Sequence, residues 1–163
     1  LKLYLKSIIK KNKYDLWHFS FLNFKNLILI DCLKDLNQKI IVTFHGADIQ
    51  IDRTINYGYR LNHKYEDLLK KTIGSVDLFF SISENIKKDM LDLDISKNKI
   101  ISIPNSIEIE KIENIKKKFV KSSNNYLKLI TVGRYAEKKK GYDLVEAFAK
   151  KLISQKNCFR ACL

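Results

Sequence analysis

Five short strand-like runs, four of them followed by a segment of helical period, constrain this chain more than any other feature. Residues 39–44 (KIIVTF), 76–82 (VDLFFSI), 99–103 (KIISI) and 127–132 (LKLITV) are short, apolar and rich in β-branched or aromatic residues, and 14–20 (YDLWHFS) is a shorter version. Runs of this length predict strands rather than helices. A continuous apolar run such as KIIVTF predicts a strand buried on both faces, as in a parallel sheet. Between them lie helical patterns. In 1–13, Leu1, Leu5, Ile8 and Ile9 make an apolar side opposite Lys2, Lys6, Lys10 and Lys13. Residues 21–37 carry Leu22, Leu29, Leu33 and Leu36, and 61–73 form a further helix. Ser81 and Glu84 fit a capping box opening a helix that runs to about Leu91. A last helix opens near Gly141, with Leu144, Val145, Phe148 and Leu152 on one face. Strands alternating with helices predict an α/β fold built on a parallel sheet.

In such sheets ligands lie beyond the carboxyl ends of the strands. Three chemically useful segments fall there: His45-Gly46, Ser81 to Glu84, and Pro104-Asn105. None is informative alone; their common placement is. Asp48 reads as a former of the turn after His45. His18 reads as structural and His63 as solvated. After the fifth run, Gly133 permits a sharp turn, and Arg134 and Lys140 bring two cations toward a helix N-terminus, itself an anion site. From the residues alone this loop reads equally as a diphosphate cradle or as a solvated lysine-rich connection.

Composition narrows the function classes. The chain has 163 residues, 45% hydrophobic and 30% charged, as in a folded protein. Its net charge of +13 favours anionic partners: nucleotides, nucleic acid or an anionic membrane surface. The lysines are spread along the chain with Ile and Asn, which codon bias alone explains. They are not striped with aromatics and no nucleic-acid motif occurs, so no nucleic-acid partner is expected. No G-x-G-x-x-G follows a strand, which argues against a dinucleotide-dependent oxidoreductase. Cys32, Cys158 and Cys162 make neither a disulfide framework nor a four-ligand metal pattern, and fit a reducing compartment. No apolar run reaches the roughly 18 residues that span a bilayer, and no signal peptide is evident. The first helix is expected to pack on the sheet, with contact to anionic lipid heads as its alternative. Residues 108–125, charged and ending in SSNN, read as a boundary or linker.

Taken in order, YDLWHFS, IIVTFHGADI, VDLFFSISENIKKDM, KIISIPNSIEIEKI and LITVGRYAEKKKGYDLVEAF resemble a retaining GT-B glycosyltransferase of glycosyltransferase family 4, the group 1 kind. The resemblance covers most of residues 14–152. It implies two Rossmann-like domains facing across a cleft. Residues 1–120 would be the acceptor-side domain, without its first strand and glycine-rich loop. Residues 126–163 would be the first β-α unit of the nucleotide-sugar-binding domain.

By the same resemblance Arg134 and Lys140 would hold the donor diphosphate and stabilise its leaving-group charge, with Gly133 in the turn and Lys139 as a rival to Lys140. His45 would reach the transferred sugar and Gly46 would allow its close approach. Ser83 and Glu84 would line the cleft, and Asn105 would lie near the interdomain turn. The implied reaction moves a sugar from a nucleotide-diphosphate donor to a saccharide or lipid-linked acceptor in cell-surface polysaccharide or lipopolysaccharide synthesis. It needs no metal or other cofactor. The implied place is the cytoplasm, with peripheral contact at the inner face of the membrane. Two departures stand out: Ser106 replaces the glycine usual after Pro-Asn, and an extra lysine displaces the Lys-Gly pair. The E-x7-E segment of the second domain is not present. The chain, which begins at Leu1 and ends in CFRACL, therefore reads as incomplete at both ends, with little or no turnover expected from it alone.

Overall fold

The computed structural model describes residues 2–12, 14–116, 130–133 and 137–154. The chain divides into two compact units, Leu1–Ser106 and Ile107–Leu163. The first contains α1 (Lys2–Lys11), β1 (Trp17–Phe19), α2 (Phe24–Lys34), β2 (Ile40–Phe44), α3 (His63–Ile73), β3 (Leu78–Ser81), α4 (Glu84–Leu91) and β4 (Ile100–Ser102). The four strands form one sheet in the order β1-β2-β3-β4, every pair parallel. The expected α/β fold with a parallel, Rossmann-like sheet is what the first unit adopts.

Sequential order and right-handed crossovers together place α2, α3 and α4 on one face of the sheet. α1 packs on α2, and α2 on α3. The register sorts the side chains accordingly. Phe19, Val42, Phe79 and Ile100 stand in one row, and Ile40 and Phe44 share their face. Phe19, Ile40, Val42, Phe44 and Phe79 are buried there, with Leu27, Ile30 and Leu33 of α2, Tyr65 and Leu69 of α3, and Ile86 and Met90 of α4. Phe44 and Phe79 stack 5.9 Å apart with planes 5° from parallel. Cys32 joins this core as a free thiol. The other face carries His18, Ile41, Thr43, Leu78, Phe80 and Ile101; Ile101 is 45% exposed, and the His18 side chain is bonded to Thr43 Oγ1 at 2.8 Å.

Helix starts are set by caps. Asn23 Oδ1 accepts from the N–H groups of Lys25 and Asn26, and Asn62 Oδ1 from those of Lys64 and Tyr65. The expected capping box at Ser81 is corrected. Ser81 stays in β3, paired with Phe44 and Ser102, because the sheet satisfies its backbone, and it donates its hydroxyl to the Ser83 carbonyl at 2.7 Å. Ser83 is the cap instead, accepting from Ile86 N at 3.3 Å, so Glu84 is the first helical residue.

The second unit departs more from expectation. Part of the expected 108–125 linker is a helix, α5 (Ile109–Lys116), with Ile109, Ile112 and Ile115 at helical spacing and a Glu108–Lys111 ion pair of 2.7 Å at its start. Its charges had masked its period. The strand expected at 127–132 is not formed by its described part. Ile130 and Val132 are 84% and 85% exposed, and no strand exists among the described residues of this unit to satisfy their backbone. Residues 127–129 lie outside the described residues. The helix expected from Gly141 is α7 (Tyr142–Ser154), while the end of the charged loop before it is a short helix of its own, α6 (Glu137–Lys140), closed at Gly141 with φ +68°. On the face that α7 was expected to show, Leu144 and Phe148 are exposed.

Candidate functional site

The carboxyl ends of β2, β3 and β4 lie side by side. Phe44 is in register with Ser81 and Ser81 with Ser102, and Ile103 N donates to Ser81 O at 2.8 Å. His45-Gly46, Ser83-Glu84 and Pro104-Asn105 therefore issue from one edge of the sheet. Among the described residues no hydrogen bond or ion pair joins their side chains to one another. His45, Ser83, Glu84 and Asn105 are all exposed, as groups that meet a ligand must be. Glu84 pairs loosely with Lys87 at 3.6 Å. Ser106, where the related pattern has glycine, is not at positive φ, so the turn after Asn105 is made without a left-handed residue.

Asp48 organises the first of these segments. Its carboxylate is fully buried and accepts from the N–H groups of His45 at 3.0 Å, Gly46 at 2.9 Å and Leu22 at 3.2 Å. Burial pushes the carboxyl above its ordinary range, and these backbone donors oppose the shift. The turn role read for Asp48 is the one it has. The His45 backbone is thereby fixed while its imidazole faces solvent. Gly46 has φ +128°, a conformation the turn imposes and glycine adopts most readily, and a Cβ there would lie 3.0 Å from the Tyr57 hydroxyl.

The loop after Gly46 is clamped to α3. Arg60 donates from Nε and Nη2 to both carboxylate oxygens of Glu66, at 2.6 and 3.0 Å, and from Nη1 to the Ile49 carbonyl at 2.8 Å. This bidentate pair, and Lys70 beside it, hold the Glu66 carboxyl below its usual range despite partial burial. On α4, burial raises Asp89, and a hydrogen bond from Gln50 of the same loop opposes it.

In the second unit, Gly133 is exposed and its carbonyl accepts from the Tyr142 hydroxyl at 2.9 Å. Lys139 and Lys140 are exposed in α6. Arg134 lies outside the described residues. Among the described residues no cluster of His, Cys, Asp or Glu could hold a metal ion, and no helix is long and apolar enough to cross a membrane.

One feature of the first unit escaped the sequence reading: an open cavity of about 760 Å3 between the starts of α2 and α3, lined in part by Asn23, Phe24, Asn56, Tyr59 and Asn62.

A parallel sheet with helices on one face and three polar segments gathered at its carboxyl edge defines an α/β domain of Rossmann-like build. The model of Glycosyltransferase Family 4 matches residues 1–111, and the chain belongs to that family of glycosyltransferases. No curated protein gives a match.

Proposed function

We propose that this chain is the acceptor-side domain, residues 1–120, and the opening β-α unit of the donor domain, residues 126–163, of a retaining GT-B glycosyltransferase. The reaction moves a sugar from a nucleotide-diphosphate donor to a saccharide or lipid-linked acceptor in the making of cell-surface polysaccharide or lipopolysaccharide. The observation that carries the reading is the family match over a domain whose His45-Gly46, Ser83-Glu84 and Asn105 leave one edge of a parallel sheet.

In this reading His45 is the catalytic group that meets the transferred sugar, held by Asp48 through its backbone. Gly46, Ser83, Glu84 and Asn105 line the substrate cleft. Arg134 and Lys140, with Gly133 and Lys139 beside them, bind the donor diphosphate and neutralise charge on the departing nucleotide. Two fixed cations do the work a divalent metal does elsewhere, so transfer needs no metal or other cofactor. The enzyme works in the cytoplasm, at the membrane's inner face where a lipid-linked acceptor is presented.

The test is release of nucleoside diphosphate from a panel of nucleotide sugars by the intact enzyme carrying this chain, with and without a metal chelator. Arg134→Ala with Lys140→Ala should lower release by roughly a hundredfold or more, and chelation should leave it unchanged. Unchanged donor use in that double variant sinks the reading.

A further inference from the structure

The cavity between the starts of α2 and α3 is lined by none of the residues proposed above to bind donor or transferred sugar. Two aromatic rings wall it, Phe24 and Tyr59, which are 40% and 44% exposed. Exposed rings usually collapse onto a neighbour or swing free; these are held. Each packs edge-on against the same fully buried residue, Tyr65, at 5.4 Å and 78° for Phe24 and at 5.5 Å and 77° for Tyr59. Tyr65 is itself fixed, since its hydroxyl donates to the carbonyls of Leu22 at 3.1 Å and Asp48 at 2.9 Å. Gly58 completes the wall beside Tyr59. A Cβ there would stand 1.9 Å from the Gln50 carbonyl oxygen, so the chain passes as closely as a backbone can.

The rim is polar and rich in donors. Asn23 and Asn62 spend their Oδ1 atoms on capping, which fixes both amides and leaves each Nδ2 unbonded among the described residues. Asn56, held at φ +50°, adds a third amide, and Lys25 an ammonium group. The site is a wide, open depression, suited to a ligand that keeps one side in solvent.

We propose that this cavity is a saccharide-binding subsite. A pyranose has two faces of C–H groups and a belt of hydroxyls. The C–H faces suit the electron-rich faces of Phe24 and Tyr59, and the hydroxyl oxygens suit a rim of fixed N–H donors. An acyl chain would leave the three amides and the ammonium group unpaired. The inference rests on the transferase reading only for the ligand's role, that of an acceptor sugar; the binding itself does not.

The test is made on the full chain without any nucleotide. Backbone amide shifts are followed while N-acetylglucosamine, galactose or glucuronic acid is added, with saturation transfer from aromatic protons to the sugar as a second readout. The expected result is shift changes confined to residues 23–26 and 56–62 with at least one probe. Phe24→Ala with Tyr59→Ala should weaken binding by roughly tenfold, two ring contacts being lost together, whereas Tyr59→Phe should keep most of it. Asn56→Gly, an exposed change that removes the amide and suits the φ of +50°, should weaken binding without altering the fold. No shift in those segments of the unaltered protein with any of the three probes overturns the proposal, as does equal affinity in the double variant. Nucleoside diphosphate release is scored separately. Saccharide binding without donor use keeps this inference and removes the acceptor role; donor use without saccharide binding here does the reverse.

Discussion

The carboxylate of Asp48 accepts from the backbone N–H of Leu22, 26 residues earlier, and so ties the turn after β2 to the turn after β1. With its bonds to the His45 and Gly46 N–H groups it satisfies three backbone donors at the edge where the candidate site lies. Asp48→Ala leaves those donors without an acceptor and should cost about 2–4 kcal/mol, measured by urea unfolding. Asp48→Asn keeps one carbonyl oxygen and should cost less. The pH dependence separates them further. The folded-state pKa of Asp48 is raised, so the native form holds its proton more tightly than the unfolded chain does. The contribution of Asp48 to stability must then fall as pH rises from about 4 through the folded pKa. Asp89 titrates in the same sense, and the difference between the wild type and Asp48→Asn isolates Asp48. A difference that does not change with pH over that range contradicts the assignment.

Gly58 and Gly46 both stand at positive φ, yet they should not respond alike to alanine. At Gly58 the new Cβ meets a carbonyl oxygen of the backbone at 1.9 Å, which can yield only by moving the loop. At Gly46 it meets the tips of Tyr57 and Gln50 at 3.0 and 3.2 Å, which can shift. Gly58→Ala should cost about 3 kcal/mol or more, and Gly46→Ala about 1–2 kcal/mol from backbone strain. Thermal unfolding of both variants ranks them, and the reverse order would refute the argument.

Much of the first unit was legible because each strand carried its own signal. KIIVTF and VDLFFSI are too apolar and too short to be anything but buried strands, and their polar sequels had to lie at one edge once the sheet was parallel. Boundaries were less legible. Ser81 looked like a helix cap because S-x-x-E is a local pattern, whereas its fate was decided by Phe44 and Ser102 on neighbouring strands. Residues 130–132 looked like a strand for the same local reason, and no strand exists among the described residues of their own unit for them to pair with. In α5 the lysines and glutamates hid an isoleucine at every third position. The cavity was invisible because it joins Asn23 and Phe24 to Asn56 and Tyr59 across about thirty residues, through a contact with Tyr65 that no short motif encodes.

His45 offers a clean separation of stability from function. Its backbone N–H is bound by Asp48, and its side chain is exposed. His45→Ala should change the free energy of unfolding by less than about 0.5 kcal/mol. Under the proposed function it should lower sugar transfer by roughly a hundredfold. Unfolding curves and transfer rates on the same preparation decide the matter; a loss of stability that matches the loss of transfer would make His45 structural.

Glu66 titrates in the opposite sense to Asp48. Arg60 grips both of its oxygens, with side chains only 13% and 16% exposed for the Arg60–Glu66 pair, and its carboxyl is held below the ordinary glutamate range. A depressed pKa means the unfolded chain takes up the proton first. The stabilisation is therefore fully present above about pH 4.3 and drains away as pH falls through the lower folded value. Glu66→Gln removes the charge but keeps the shape, and leaves Arg60 bonded to the Ile49 carbonyl without its anion. The variant should be less stable than the wild type at pH 7 by about 2 kcal/mol, the range of a charge-assisted hydrogen bond in a partly buried site. The gap should close as pH falls below 4. Chemical unfolding of both proteins from pH 7 to pH 3 measures that gap, and a constant separation across the range would mean that Glu66 contributes by packing rather than by its ion pair with Arg60.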